Sequence, residues 1–249
     1  MFIDSHIHIG QFYSSYYSPQ FVVNLMKQLQ VDYYAVSSTT ICEENYPKVI
    51  KEFTELISID ENSILPVMWI TPDSLNGNIA WFLESNIKWK CLKIHPFLHP
   101  NNWQLTGTEI YEAAEIAREM SIPMLIHTGY DSFCSSGNFE SIIKKYRDVI
   151  FILAHGRPEN EAQTLIQKYE NVYVDTAFMP IDILTGFKKL GLCNKVLWGS
   201  DMCIPIYYDN TINLYEYYID KRKKLSLILN STEYELITYK NAMHVFNIL

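Results

Sequence analysis

The feature that most constrains this chain is an alternation. Short, near-continuously apolar runs fall at 2–10, 32–37, 64–70, 90–95, 123–127, 149–155, 172–175 and 195–198. Each is followed by a stretch whose apolar residues recur at helical spacing: 19–29, 46–59, 74–85, 108–120, 139–146, 159–169, 181–190, and finally 211–224 with 232–246. Runs of the first kind suit strands covered on both faces, the condition of a parallel sheet. Eight such units with short connections, in 249 residues, point to an α/β fold: a (β/α)8 TIM barrel, one domain spanning 1–249. A doubly wound open sheet is the alternative. Neither GxGxxG nor GxxxxGK[ST] follows the first strand, which weakens its nucleotide-binding version.

Composition narrows the partners. The net charge is -8, with acids and bases mixed and no basic stripe to neutralise phosphates, so no nucleic-acid partner is expected. The five cysteines (Cys42, Cys91, Cys134, Cys193, Cys203) are odd in number, widely spaced and form no CxxC. A disulfide framework or a cysteine zinc site is therefore not expected, and a reducing compartment is. No basic, apolar leader pattern opens the chain, and no apolar run approaches a membrane span. The expectation is a soluble, cytoplasmic protein with no membrane partner.

Barrel sites lie at the C-terminal ends of the strands, and this chain places polar residues there. The first strand carries His6 and His8; later ones end in Lys93 and His95, His127, His155, Asp175 and Asp201. Five of the seven histidines stand at such ends; His99 lies just beyond one, and His244 on the last helix. With a strand period of 2, His6, His8 and Asp4 share a face, where two imidazoles can meet on one divalent ion. An edge strand that merely holds two histidines is the plain alternative. The same alternation sets Lys93 and His95 opposite Leu92 and Ile94. It groups Leu125 with His127, Phe151 and Leu153 with His155, and Leu197 and Gly199 with Asp201. Structural roles compete at each position. His127 and His155 could be core histidines bonded to carbonyls, Asp201 a loop cap, and Lys93 a partner for Asp4 or Asp201. His95 is either a loop anchor before Pro96 or a substrate contact. For Asp175, before Thr176, capping a turn is the preferred reading.

Taken together the pattern resembles the amidohydrolase superfamily, and within it the amidohydrolase-2 group. The resemblance covers the whole chain. It rests on Asp4-Ser5-His6-Ile7-His8, Leu92-Lys93-Ile94-His95-Pro96, Leu125-Ile126-His127-Thr128-Gly129, Leu153-Ala154-His155-Gly156, Val172-Tyr173-Val174-Asp175-Thr176, Trp198-Gly199-Ser200-Asp201 and the closing Asn241-Ala242. It implies a metal held by His6, His8, His127 and Asp201, with His155 completing the shell or bonding the substrate. Lys93 takes a strand-four position where two-metal members carry a carboxylated, bridging lysine, so a second ion follows if Lys93 is carboxylated. One departure stands out: Arg157-Pro158 follows Gly156 where a second glycine is usual. Arg157 is either a surface loop charge or a fork for a substrate carboxylate or phosphate.

The implied function is a metal-dependent hydrolase that cleaves an amide, ester or lactone bond of a small molecule. Asp201 acts as base on a metal-activated water, and His155 stabilises the oxyanion. Lys93, His95 and Arg157 contact the substrate, which is anionic if the two cations bind it. Zinc is the first expectation for the ion and manganese the second, because N and O ligands choose weakly between them. The closest rival is a decarboxylase of an aromatic or unsaturated acid, which suits the aromatic loop 12–17. A TatD-like nuclease is disfavoured by Lys93, where that branch carries glutamate, and a barrel without catalysis by the complete ligand set. The aromatics of that loop leave room for a homo-oligomer.

Overall fold

A computed structural model describes residues 1–104 and 108–248. Among them, nine strands form one sheet: β1 (Ile3–Phe12), β2 (Ser15–Tyr17), β3 (Tyr33–Ser38), β4 (Ile64–Trp69), β5 (Cys91–Ile94), β6 (Met124–His127), β7 (Phe151–Ala154), β8 (Val172–Asp175) and β9 (Val196–Leu197). From β1 onward, skipping β2, each strand pairs in parallel with the next in chain order. The sheet curls until the segment after β9 meets β1. Ser5 N donates to Trp198 O at 2.8 Å, Asp201 N donates to His6 O at 2.9 Å, and Ile7 bridges Met202. This is the expected (β/α)8 TIM barrel in a single domain.

The helices are α1 (Pro19–Gln28), α2 (Tyr46–Ile59), α3 (Ala80–Leu83), α4 (Glu109–Glu119), α5 (Glu140–Lys145), α6 (Glu159–Lys168), α7 (Ile181–Lys189), α8 (Pro205–Tyr208), α9 (Leu214–Ile228), α10 (Ser231–Glu235) and α11 (Asn241–Val245). Local chemistry starts several of them. Ser18 Oγ accepts from Phe21 N ahead of Pro19, and Asn45 and Asn213 cap α2 and α9 in the same way. Asn230 and Glu233 form a capping box at α10.

Two layers of core result. Ile3, Ala35, Leu65, Val67, Cys91, Leu125, Ile152, Tyr173 and Leu197 form one buried cluster inside the barrel, closed at one end by Ala242, Val245 and Phe246 from and just after α11. Their strand neighbours of opposite parity, among them Val36, Leu92, Ile94, Ile126, Leu153 and Val174, pack against the helices.

Three local expectations are corrected. The 11–18 loop includes an antiparallel arm, with Gly10 opposite Tyr17, so nine strands replace eight. The helix expected at 74–85 breaks at Gly77, whose φ of +105° leaves a π turn before α3. Asp4 does not share a face with His6 and His8. The pairing of β1 with β3 slips between Asp4 and Ile7, leaving one extra residue on β1. That bulge turns Asp4 outward, where it accepts from Ser200 N at 3.1 Å and lies beside Tyr218 of α9. Burial pushes its carboxyl up to about 6.

Candidate metal centre and active site

The bulge in β1 is what brings His6 and His8 together at the barrel mouth. Their Nε2 atoms and one carboxylate oxygen of Asp201 lie within 4.8 Å of one another, and all three residues are buried. His8 Nε2 is 2.9 Å and His6 Nε2 3.7 Å from Asp201 Oδ1. Both imidazoles are anchored through the other nitrogen. His6 Nδ1 meets Asp175 Oδ2 at 2.8 Å, and His8 Nδ1 meets Ser37 Oγ at 3.0 Å. A carboxylate on Nδ1 places the imidazole proton there and leaves the Nε2 lone pair for a ligand.

Asp201 arrives by a turn. Gly199 packs where a Cβ would come within 3.2 Å of Asp175 and His6, and Asp201 itself has φ of +61°. Burial works against its charge, but the imidazoles of His6 and His8 outweigh this and hold the carboxyl well below the usual range. Burial, with Lys93 nearby, pushes His8 down to about 3, so its ring is neutral, as a metal ligand must be. Two imidazole nitrogens and one carboxylate oxygen, buried on one point, fit a divalent transition metal.

Lys93 extends from β5 to the same point. Its Nζ lies 3.0 Å from His6 Nε2 and 3.4 Å from His8 Nε2, and 4.3 Å from the centre of the Trp69 ring. Burial lowers its ammonium to about 8. The expected parity of β5 holds: Cys91 is in the interior cluster, while Leu92 and Ile94 face the helices.

His95 and His127 form a stack across the mouth, with His155 edge-on to His127. His95 lies between Trp69 (ring centres 6.0 Å apart, 20° between planes) and His127 (3.8 Å, 21°). Its Nδ1 accepts from Leu98 N at 3.2 Å, which puts the proton on the other nitrogen. His95 thus anchors its loop and lines the cavity with the same ring. His127 is outside the His6–His8–Asp201 group; its Nδ1 meets His155 Nε2 at 3.1 Å.

Strand parity misplaces His155. Phe151 and Leu153 face the helices, whereas His155 lies in the mouth, because its φ of +70° turns the chain after β7. The backbone N–H of His155 donates to Asp175 Oδ1 at 3.0 Å, and its Nδ1 donates to Ala177 O at 2.9 Å. Burial keeps the ring neutral, which makes Nε2 an acceptor and His127 Nδ1 the donor to it.

Arg157 also lines the cavity. Its Nη2 donates to Phe178 O at 2.7 Å, its guanidinium carbon lies 5.2 Å from the Tyr130 ring centre, and its buried Nε has no partner among the described residues. The cavity has a volume of about 400 Å³, and Phe12, Leu98, Phe178, Ile204 and Tyr208 supply apolar walls.

Two contributors were not singled out as site residues in the sequence. Asp175 caps its turn through Ala177 N at 3.0 Å, as its sequence position suggests, but it also orients His6. Its place at a strand end, in line with the other candidates, was the available signal. Ser37, at the end of β3, gave none.

Comparisons with known proteins bear on the family and the fold. The sequence pattern of the amidohydrolase family, Amidohydro_2, matches residues 90–248. No curated protein matches the sequence. Among solved structures, the fold is shared with a probable 2-pyrone-4,6-dicarboxylic acid hydrolase from Acinetobacter baumannii with citric acid bound (TM-score 0.71, 13% identity, covering 99% of each chain). It is shared with a 5-carboxyvanillate decarboxylase from Sphingomonas paucimobilis (0.69, 9%, 100% of this chain and 99% of that one). A third is an amidohydrolase from Burkholderia multivorans with bound zinc (0.69, 10%, 100% of both). With most of the chain matched by the family pattern, the protein belongs to the amidohydrolase family.

Proposed function

We propose that this chain is a metal-dependent hydrolase that cleaves an amide, ester or lactone bond in a small anionic molecule. The observation that carries the reading is the convergence of buried His6, His8 and Asp201 ligand atoms within 4.8 Å, at the floor of a cavity that Lys93 and Arg157 also line. His6 and His8 hold the ion with Asp201. His127 is the fourth candidate and takes that place by exchanging its 3.1 Å contact with His155. The ion is proposed to be zinc, with manganese as the alternative and a second ion only if Lys93 is carboxylated. Bound there, a divalent ion supplies Lewis acidity and a water acidic near neutral pH.

The chain's own residues do the rest. Asp201 stays ionised and takes the proton of the attacking water at its carboxylate, then hands it to the leaving group. The Nε2 of His155, 3.1 Å from His127, is a second proton acceptor at the mouth. A proton taken up there from solvent, against the burial that otherwise keeps the ring neutral, makes it a donor for the oxyanion. Lys93 and Arg157 provide the positive field for the substrate's anionic group, and the proton that His95 carries on its free nitrogen is a further donor. Small molecules are thus the proposed partners. A cytoplasmic location is proposed from the odd, widely spaced cysteines alone; separately, no helix among the described residues is long and apolar enough to cross a membrane.

A decarboxylase of an aromatic or unsaturated acid is the second reading. It is favoured by the aromatic walls Phe12, Trp69, Phe178 and Tyr208 beside two cations. One assay separates the two. Chelator-stripped protein is reloaded with zinc or manganese and given a panel of carboxylate-bearing lactones, esters, amides and aromatic acids in heavy-oxygen water. Hydrolysis predicts metal-dependent product carrying the heavy oxygen. Carbon dioxide release without it supports the second reading, and no metal-dependent turnover of any kind contradicts both.

A further inference from the structure

A second cavity of about 320 Å³ lies outside the barrel, between α7 and α9. Leu184 of α7, Met179, Trp198 and Leu225 of α9 give it an apolar wall. Asp220, Lys221 and Lys224 line it as well, two cations for one anion. Lys224, on the same helix, is paired with Asp220 at 2.6 Å. Lys221 is not: among the described residues no carboxylate oxygen lies within 4.0 Å of its Nζ. The partly buried ammonium donates only to Thr176 O, at 3.3 Å, and lies 5.6 Å from the ring centres of both Trp198 and Tyr217.

We propose that this cavity is a binding site, separate from the metal centre, for an amphipathic anion: an alkyl or aryl carboxylate whose carboxylate pairs with Lys221 and whose apolar body packs between Leu184 and Leu225. An ammonium withdrawn from water is costly unless an anion answers it, and one facing an apolar hollow selects a ligand with a charged head and an apolar body. Burial already pulls Lys221 below its usual range, against the attraction of Asp4, Asp201 and Asp175, none of which comes within 4.0 Å of its Nζ. A carboxylate at Nζ relieves that penalty.

Occupancy is felt at the catalytic mouth through one residue. Phe178 lines both cavities, and its carbonyl holds the Arg157 guanidinium at 2.7 Å. A ligand pressing on Phe178 therefore shifts the cation that faces the substrate. The site is a place for control by an acid other than the substrate.

The test uses the full chain and two probes of equal length, octanoate and octanol, titrated calorimetrically. Octanoate should bind saturably. Octanol should bind about tenfold more weakly or worse, the loss of one charge-assisted contact. Lys221→Met should weaken octanoate by a similar factor, and Leu184→Trp, which fills the hollow, should abolish it. The thermal midpoint of the unliganded Lys221→Met protein should rise, because an unanswered charge is removed. Equal binding of the two probes overturns the proposal. So does octanoate binding that survives both substitutions, which places it at the catalytic mouth, or no saturable binding at all. A lower midpoint in Lys221→Met also counts against it, since it makes Lys221 a structural counter-charge to Asp4.

Discussion

Asp175 holds three groups at once: the His6 ring through Oδ2, and the backbone N–H groups of His155 and Ala177 through Oδ1. Its carboxyl stays below the usual range because His6 outweighs the effect of burial. Asp175→Asn keeps the shape and can keep the turn, but loses the charge that fixes the His6 tautomer. The expected outcome is a folded protein with metal affinity lower by about 10- to 100-fold, measured by competition with a chromophoric chelator. Unchanged affinity would contradict the role given to Asp175. A single sequence could show this residue as a turn cap, because that role is local. Its reach to His6 spans 169 positions and exists only once the barrel closes. His155 shows a similar limit. Its presence at a strand end is legible, but its direction depends on a left-handed residue that the alternation rule does not anticipate.

At the scale of elements, the mouth depends on how β1 is held. Its tip turns at Gly10, φ +90°, where a Cβ would meet Thr40 Oγ1 at 2.5 Å and Ser38 Oγ at 2.7 Å. Those two hydroxyls donate to the buried carboxylate of Glu52 on α2, at 2.8 and 2.6 Å, and the Thr39 between them donates to Ile9 O at 2.9 Å. Glu52 therefore braces the β1 and β3 ends that carry His8 and Ser37. Burial raises its carboxyl above the ordinary 4.5 despite the two hydroxyls. A raised acid binds its proton more tightly in the folded than in the unfolded state, so stability falls as pH rises from 4.5 through the raised value. Glu52→Gln lacks that dependence. The stability advantage of wild type over Glu52→Gln, from urea unfolding, is expected to shrink as pH rises above about 4.5. A constant difference would show that Glu52 titrates normally. Nothing in the sequence marks this brace, since a glutamate on an amphipathic helix reads as solvated.

At the scale of the whole molecule, the chain is a parallel barrel whose interior is apolar below and histidine-rich above. That architecture was the most legible part. A strand covered by helices outside and by the barrel core inside has no polar face, so eight apolar runs stand out from the helical stretches between them. The β2 arm and α8 were not legible, because they carry mixed aromatic and polar residues at the rim and answer to no period. The net charge of -8 belongs to the whole surface, whereas Lys93 and Arg157 line the mouth; the local field, more than the total, matches an anionic substrate.

All of this converges on one claim, that the mouth is built to hold a divalent ion. The direct measurement is elemental analysis of the protein purified without added metal, beside a His6→Ala/His8→Ala double variant shown by circular dichroism to be folded. The account predicts about one zinc or manganese per chain in the wild type and none in the variant; about two would add a bridging, carboxylated Lys93. A folded wild type that holds no metal, even after incubation with either ion, would contradict it.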